Sequence, residues 1–530
     1  MIEAATGTST FSGLDWGVLG AYFVLLAGTG WWFSRREPSG AQEYFLAGRQ
    51  MPMWAVAISV LATATSAATF IGAPEEAYKG TLTYASTNIG MFVAVAVVAI
   101  FFIPAFYRAN VTTVYDLLEL RFGGHAKQAA SWTFLIGRVF ASGSRLFMAS
   151  IPLSLILFRE IHEWQLLVSI GVLTTVAILY TLVGGIRSII WTDVVQTVVF
   201  VGAAAVALIV LLNKIPLSTG QIFDALKETP VAGHSKLTVI DWGIPFDTGQ
   251  AYTIFTAVMG FSLLGIASYG TDHDLAQRML TCKSAVKGSQ SVIVAILMNL
   301  PVLFVFMSIG LLLHIFYQRP DLLGSSAPAS PPGDSREVFL SFILNEMPSG
   351  MSGLMMAGLF AAGLGSCNSA INAMAAAFVN DVYKKASPAK TDVQYLKVGR
   401  WAVVGWGIIL GAFACICVFW QKGSGETLIK FALGVMGFAY AGLLGVFFTA
   451  IFTKTRGTSS SVIAALISGA LVVTVLQPKV IAMWSPLFGI SDFKLAFPWV
   501  LLAGTLVSTT VCMLPRSKTT VPVQVIPGII

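Results

Sequence analysis

The sequence predicts an all-α protein that crosses a membrane many times, with most of its helices arranged as two related halves of five. Three observations carry this expectation. About thirteen separate apolar stretches run along the chain, each near the roughly 20 residues that a span needs. Of the 530 residues, 56% are hydrophobic and only 11% are charged, whereas soluble domains carry about 25% charged residues. The second and seventh stretches are interrupted by small residues and lie five spans apart, the sequence mark of an inverted repeat.

The spans are placed near 14–34, 52–78, 85–107, 128–157, 164–183, 188–213, 249–271, 286–316, 351–379, 398–420, 428–452, 459–476 and 497–514. This divides a single membrane domain, 1–530, into an extra N-terminal helix (14–34), a first repeat (52–213), a second repeat (249–452) and two C-terminal helices (459–514). Met1–Gly13 is polar with no basic region, so no cleavable signal peptide is expected, and the first stretch should remain as a helix.

Most of the 32 Lys and Arg fall in the loops at 35–51, 108–127, 184–187, 272–287, 380–400, 453–458 and 515–530. The positive-inside rule then puts the N-terminus outside and the C-terminus inside. The net charge of +7 is borne by loops and gives no reason to expect a nucleic-acid partner. Cys282, Cys367, Cys415, Cys417 and Cys512 follow no metal or disulfide spacing and read as packing residues. Thr112–Phe122 reads as an amphipathic surface helix, Ser325–Pro332 as a flexible linker, and Val338–Met347 as a short interfacial helix.

The second span, Trp54 to Pro74, carries the strongest signal. Around Ala62–Thr69, Ala, Thr and Ser replace leucine just before a Gly72–Pro74 break. Irregular backbone in lipid survives only around a polar cavity, so a solute and ion site is expected there. The ninth span reads GSCNS at Gly365–Ser369, in a run of small residues that lets helices approach closely. Its oxygens can complete a sodium shell with carbonyls freed at Ala62–Thr65, because hard cations take oxygen ligands; packing alone also accounts for such residues.

Asp193 in WTDVVQ reads equally well as an ion ligand and as a cap for the loop at Gly184-Gly185. Arg138 and Arg145, seven apart on one helix face, suit either a substrate carboxylate or a structural pairing with Asp193, Glu75 or a helix C-terminus. Glu75 and Glu76 read as solvated loop charges, with Tyr84 and Asn88 beyond them lining an outer vestibule. Asp272-His273-Asp274 looks like a metal motif without a fourth ligand and is expected to be a solvated turn. No phosphate loop, catalytic triad or zinc spacing is present, so neither an ATP-driven machine nor an enzyme is expected.

EYFLAGRQMPMWA (Glu43–Ala55), ATATSAATFIGAPEEAY (Ala62–Tyr78), VGGIRSIIWTDVVQ (Val183–Gln196), Gln277-Arg278 and SAINAMAAAFVNDVY (Ser369–Tyr383) together resemble the sodium/solute symporter family. The resemblance runs from about residue 14 to 515. It implies a LeuT-like 5+5 inverted-repeat fold and sodium-driven symport of a small solute by alternating access, with sodium as the only metal. It implies a sodium site from the backbone oxygens of Ala62, Thr65 and Ala362 and the hydroxyl of Ser366, with Gly365 where relatives usually have a second hydroxyl. A second sodium site would use Asp193, Asn368 and Ser369. The local match is nearest to the sialic-acid branch, which implies an organic anion held by Arg138 and contacted by Ser66, Thr69, Tyr84 and Asn88. Carriage of a neutral sugar, a monocarboxylate or a vitamin is the alternative; a sensor or a channel is a more distant one. The resemblance further implies a multi-pass plasma (inner) membrane protein that acts as a monomer.

Overall fold

A computed structural model describes residues 11–34, 41–183, 185–231, 233–324, 328, 335–422, 428–489 and 493–516. Its principal helices are α1 (Gly13–Ser34), α2 (Met53–Ala64), α3 (Ala67–Lys79), α4 (Thr87–Val97), α5 (Gly124–Phe158), α6 (Glu163–Val183), α7 (Ile186–Lys214), α8 (His273–Leu280), α9 (Ala285–Gln318), α10 (Val338–Asn345), α11 (Met351–Ala377), α12 (Asp392–Lys422), α13 (Leu428–Phe452), α14 (Ser459–Val475) and α15 (Phe497–Met513). Among the described residues, nine helices are long and apolar enough to cross a membrane. The bent pair α2–α3 (61°) and the bent pair that begins with α14 (73°) make up to eleven, and Met436–Phe452 and Phe497–Met513 are shorter apolar helices. The expected linker at Ser325–Pro332 and the chain after Arg516 lie almost wholly outside the described residues.

Burial sorts these helices by role. The window of highest hydropathy in the helix through α11 is 94% buried, whereas those of α7 and α9 are 39% buried. Val24, Leu179, Val198 and Ile408 are exposed apolar residues on the outer helices, as expected where lipid replaces water. α11 is therefore the central post, and α2, α5, α7 and α12 pack around it. Its small residues permit this: a Cβ on Gly363 would lie 2.8 Å from Ala149 Cβ and 3.9 Å from Ala67 Cβ. At this point α5, α11 and the start of α3 meet.

The second span breaks, but not at Pro74. α2 ends at Ala64, Thr65 is extended (φ −84°, ψ 142°), and Ser66 (φ −147°, ψ −179°) caps α3. The Ser66 side chain accepts from the Ala68 N–H at 3.2 Å, and the Thr69 hydroxyl accepts from the Ser66 N–H at 3.4 Å. This reciprocal cap restarts a helix without a side-chain charge. Pro74 sits inside α3, where neighbouring helices tolerate it.

The seventh span is not broken as expected. Ile254–Thr271 stays continuous, widened by π turns at Ala257–Phe261 and Ala267–Thr271, and turns sharply only at Asp272, which caps α8. The expected surface helix shortens to Asp116–Phe122 and buries Leu117, Leu118, Arg121 and Phe122. α10 likewise buries Val338, Phe339, Leu340, Phe342 and Ile343 against the protein. Beyond α3, a two-stranded hairpin (β1, Pro230–Val231; β2, His234–Ser235) leads into Lys236. The Lys236 ammonium donates to the carbonyls of Ala77 (3.0 Å), Tyr78 (2.8 Å) and Gly80 (2.8 Å). A buried cation thus satisfies the open C-terminal end of the half-helix α3.

Candidate functional site

The break frees backbone oxygens at one level of the bundle. Where a helix stops, its last carbonyls lose their intrahelical donors. Here Leu61 O is taken by the Thr65 N–H (2.8 Å) and the Thr65 hydroxyl (2.9 Å). Of the carbonyls just after it, Ala62 O has the Thr65 hydroxyl at 3.4 Å and Thr63 O the Arg145 guanidinium at 3.4 Å, both long contacts at the end of α2. The close approach of Gly363 to Ala67 sets the turn Ala362–Ser366 of α11 at the level of the break. The Ser366 hydroxyl is buried and donates to Gly363 O at 3.1 Å, leaving its lone pairs for a cation. A Cβ on Gly365 would fall 2.7 Å from Gln196 Oε1 and 3.8 Å from Asp193 Oδ1. The amide of Gln196 thus fills the space of the missing hydroxyl, a contact foreshadowed only by its position one turn after Asp193.

On the α2 side of the break lies a buried charge cluster that no sequence signal joined together. Asp193 Oδ2 accepts from the Ser59 hydroxyl (2.5 Å) and from Arg278 Nη2 (3.2 Å). Arg278 reaches Asp274 Oδ1 at 2.8 Å, and Asp274 also accepts from Ser369 and Arg138. Arg138 Nη1 pairs with Asp272 at 3.2 Å, and Asp272 accepts from the Tyr440 hydroxyl at 2.7 Å. Three carboxylates and two guanidinium groups, all at most 2% exposed, thereby tie α2, α5, α7, α8, α11 and α13 together.

Several expectations are corrected here. Asp272-His273-Asp274 is not a solvated turn: all three residues are buried, and both Asp residues are ion-paired. They are drawn inward because Arg138 and Arg278 would otherwise stand unpaired in a low-dielectric interior. Among the described residues Asp193 bonds to Ser59 and Arg278, and Arg138 pairs with neither Asp193 nor Glu75. Glu75 and Glu76 are buried within α3, where Glu75 accepts from Ser335 at 3.0 Å. Among the described residues, no group of three His, Cys, Asp or Glu is placed to hold a metal.

The remaining predicted residues divide between the two sides. Ser369 and Asp193 join the charge cluster through Asp274 and Arg278, while Asn368 Oδ1 accepts from Thr181 at 3.5 Å. Ser66 and Thr69 cap α3. Asn88 faces α9 rather than a vestibule, accepting from Asn299 at 3.3 Å. Tyr84 stacks edge-on against Tyr252 at 5.2 Å. Both tyrosines line a cavity of about 740 Å³ on the α3 side, with Glu76, Asp241, Gln477 and Lys494. Ion pairs therefore tie the helices together on the α2 side, and a cavity lies on the α3 side.

Comparison with known proteins fits this architecture. Residues 44–469 match the model of the sodium:solute symporter family. The chain is 28% identical over 473 residues to the sodium/sialic acid symporter NanT of Aliivibrio fischeri, covering 88% of each chain. It is 29% identical to the sodium/sialic acid symporter SiaT of Proteus mirabilis, covering 86% of this chain and 88% of that one. The human sodium/iodide cotransporter is 28% identical over 87% of this chain and 69% of its own. Among solved structures, a substrate-bound, outward-open sodium-coupled sialic acid symporter superposes with a TM-score of 0.77 at 25% identity, over 96% of this chain and all of that one. The transporter Mhp1, at 14% identity and a TM-score of 0.52, shares the fold. The chain belongs to the sodium:solute symporter family and is a sodium-driven symporter of an organic solute.

Proposed function

We propose that this protein imports an organic anion such as sialic acid, using sodium held between the break at Ala62–Thr65 and the turn Ala362–Ser366. One observation carries the reading: Gly363 on α11 comes close to Ala67 at the start of α3, which sets the turn Ala362–Ser366 at the level of the break. Sodium there stitches α2 to α11 and steadies the start of α3. A second sodium would use Asp193, Asn368 and Ser369, the first and last of which already belong to one buried network. The preference for an anion rests on the sialic acid symporters among its relatives and on the intramembrane Arg145, whose contacts are to neutral acceptors; Arg138 is already paired with Asp272 and Asp274. Ser66, Thr69 and Tyr84 are the further substrate contacts.

Thirteen spans with the N-terminus outside and the C-terminus inside, in the inner membrane of a bacterium, give the charge cluster a cytoplasmic position. The hollow α3 side is then the outer vestibule, and the ion pairs form the closed inner gate. Transport requires the gate to part after sodium and solute have bound, and the protein does this as a monomer. The test is uptake of sialic acid, lactate and glucose into proteoliposomes under an inward sodium gradient, with choline as the control. The proposal expects the acids to accumulate with sodium alone. Uptake that is equal in choline, or confined to glucose, refutes it.

A further inference from the structure

One turn beyond the charge cluster lie buried polar atoms that the cluster does not use. Asn372 on α11 is fully buried, and neither its Nδ2 nor its Oδ1 has a hydrogen-bond partner among the described residues. Turning the amide over leaves both ends equally alone. Gln277 on α8 is fully buried too. Its Nε2 donates to Phe45 O at 2.7 Å, which fixes the amide's orientation and leaves Oε1 without a donor among the described residues. Two contacts put these amides at one level. Ser369, one turn before Asn372, donates to Asp274, and Gln277 is one turn after Asp274. Ala376, one turn after Asn372, packs with Tyr44, Phe45, Val379 and Tyr395, and Phe45 holds Gln277. Asn372 and Gln277 therefore lie between the cluster of Asp193 and Asp274 and an aromatic plug, Tyr44–Phe45. The plug is seated against the start of α7, where a Cβ on Gly185 would fall 2.8 Å from Tyr44 O. Buried polar groups without partners are costly, and inside a membrane bundle such groups mark ion routes.

We propose that Asn372 and Gln277 form a transit site for sodium between Asp193 and the cytoplasm. Their amide oxygens, with water, carry the ion past the Tyr44–Phe45 plug once the gate parts. This rests on the second sodium site and the cytoplasmic placement of the cluster given above. The chemistry selects a cation. Hard oxygen ligands suit sodium. A solute carboxylate finds no partner here, because the neighbouring guanidinium of Arg278 already serves Asp193, Asp274 and Ser59. Neutral amides hold sodium more loosely than a carboxylate does, and a release step needs a site that the ion can leave.

The experiment separates release of sodium from release of solute. Wild type, Asn372→Leu, Asn372→Ser and Gln277→Met are purified and reconstituted, and the solute is whichever of sialic acid, lactate and glucose the wild type accumulates. Two rates are read: net uptake into sodium-free vesicles, and exchange of labelled for unlabelled solute with saturating sodium on both sides. Net uptake needs sodium to leave inward in every cycle; exchange does not. The proposal expects Asn372→Leu and Gln277→Met to slow net uptake about tenfold or more while exchange stays within about twofold of wild type, because a release step limits only the first. Asn372→Ser keeps an oxygen and should restore net uptake to within about threefold of wild type. Asn372→Leu should not lower thermal stability, since its amide has no partner to lose. Net uptake by Asn372→Leu at the wild-type rate overturns this inference. So does an equal loss of both rates with a lowered melting temperature, which makes Asn372 structural. Either result leaves the sodium-symport reading standing. A wild type that accumulates none of the three solutes with sodium overturns that reading and this inference with it.

Discussion

The charge cluster permits a graded prediction for two substitutions. Asp274 contacts both guanidinium groups, yet in Asp274→Asn each arginine keeps one carboxylate: Arg138 keeps Asp272, and Arg278 keeps Asp193. The cluster also goes from three carboxylates and two cations to two of each. Arg278→Gln is worse, because Arg278 serves Asp193, Asp274 and Ser59. Its loss leaves three buried carboxylates with one guanidinium. Removing one partner of a buried pair costs about 3–5 kcal/mol. We assign the low end to Asp274→Asn and the high end to Arg278→Gln. If the cluster exists only while the inner gate is closed, these values open the gate about 150-fold and about 4,000-fold more often, at 1.4 kcal/mol per factor of ten.

Cys367 offers the readout. It is buried on α11 beside Ser366, within electrostatic reach of Arg138, Arg145 and Asp274. With Cys282, Cys415, Cys417 and Cys512 replaced by alanine, a small thiol reagent added from the cytoplasmic side should label Cys367 about 100-fold faster in Asp274→Asn, and faster still in Arg278→Gln. Unchanged rates in both, or the reverse order, would refute the gate assignment.

Three further outcomes follow from the same geometry. Gly365→Ser should tighten sodium severalfold, because the added Cβ comes closer than 3 Å only to the far end of the Gln196 side chain and the hydroxyl joins the shell; weaker sodium binding in a folded variant, read by thermal shift, counts against the site. Gln196→Ala combined with Gly365→Ser should tighten it further, since the one steric obstacle is gone. Lys236→Met should orphan the carbonyls of Ala77, Tyr78 and Gly80, at about 1–3 kcal/mol. Limited proteolysis should then cut the β1–β2 hairpin faster, and an unchanged cutting rate would remove its tethering role.

The sequence made the membrane class legible because hydropathy reports lipid contact directly, and the apolar stretches coincide with helices from Gly13–Ser34 to Phe497–Met513. The broken span was legible because leucine gives way to Ala, Thr and Ser. Its exact position was not. Proline marks a lost donor and not a lost helix, so Pro74 stays inside α3 while Thr65 and Ser66 turn the chain. The charge cluster was hidden for a different reason. Arg138 and Asp274 are separated by 136 residues, and Arg278 and Asp193 by 85. Local sequence gives each of these groups a choice between solvent and burial, and only the packing of α5, α7 and α8 decides it. The same applies to Arg145, which differs from Arg138 only in what lies across the bundle.

The central claim is that sodium sits between the broken span and α11, and Ser366 is its proposed side-chain ligand on that helix. The direct measurement is the sodium concentration for half-maximal uptake by wild type, Ser366→Ala and Ser366→Thr. Loss of one oxygen from a shell of about five or six, at about 1.5–3 kcal/mol for a polar contact to a charge, should raise that concentration at least about tenfold in Ser366→Ala. Threonine, which keeps the hydroxyl, should stay near wild type. A half-maximal sodium concentration in Ser366→Ala within twofold of wild type would contradict the site.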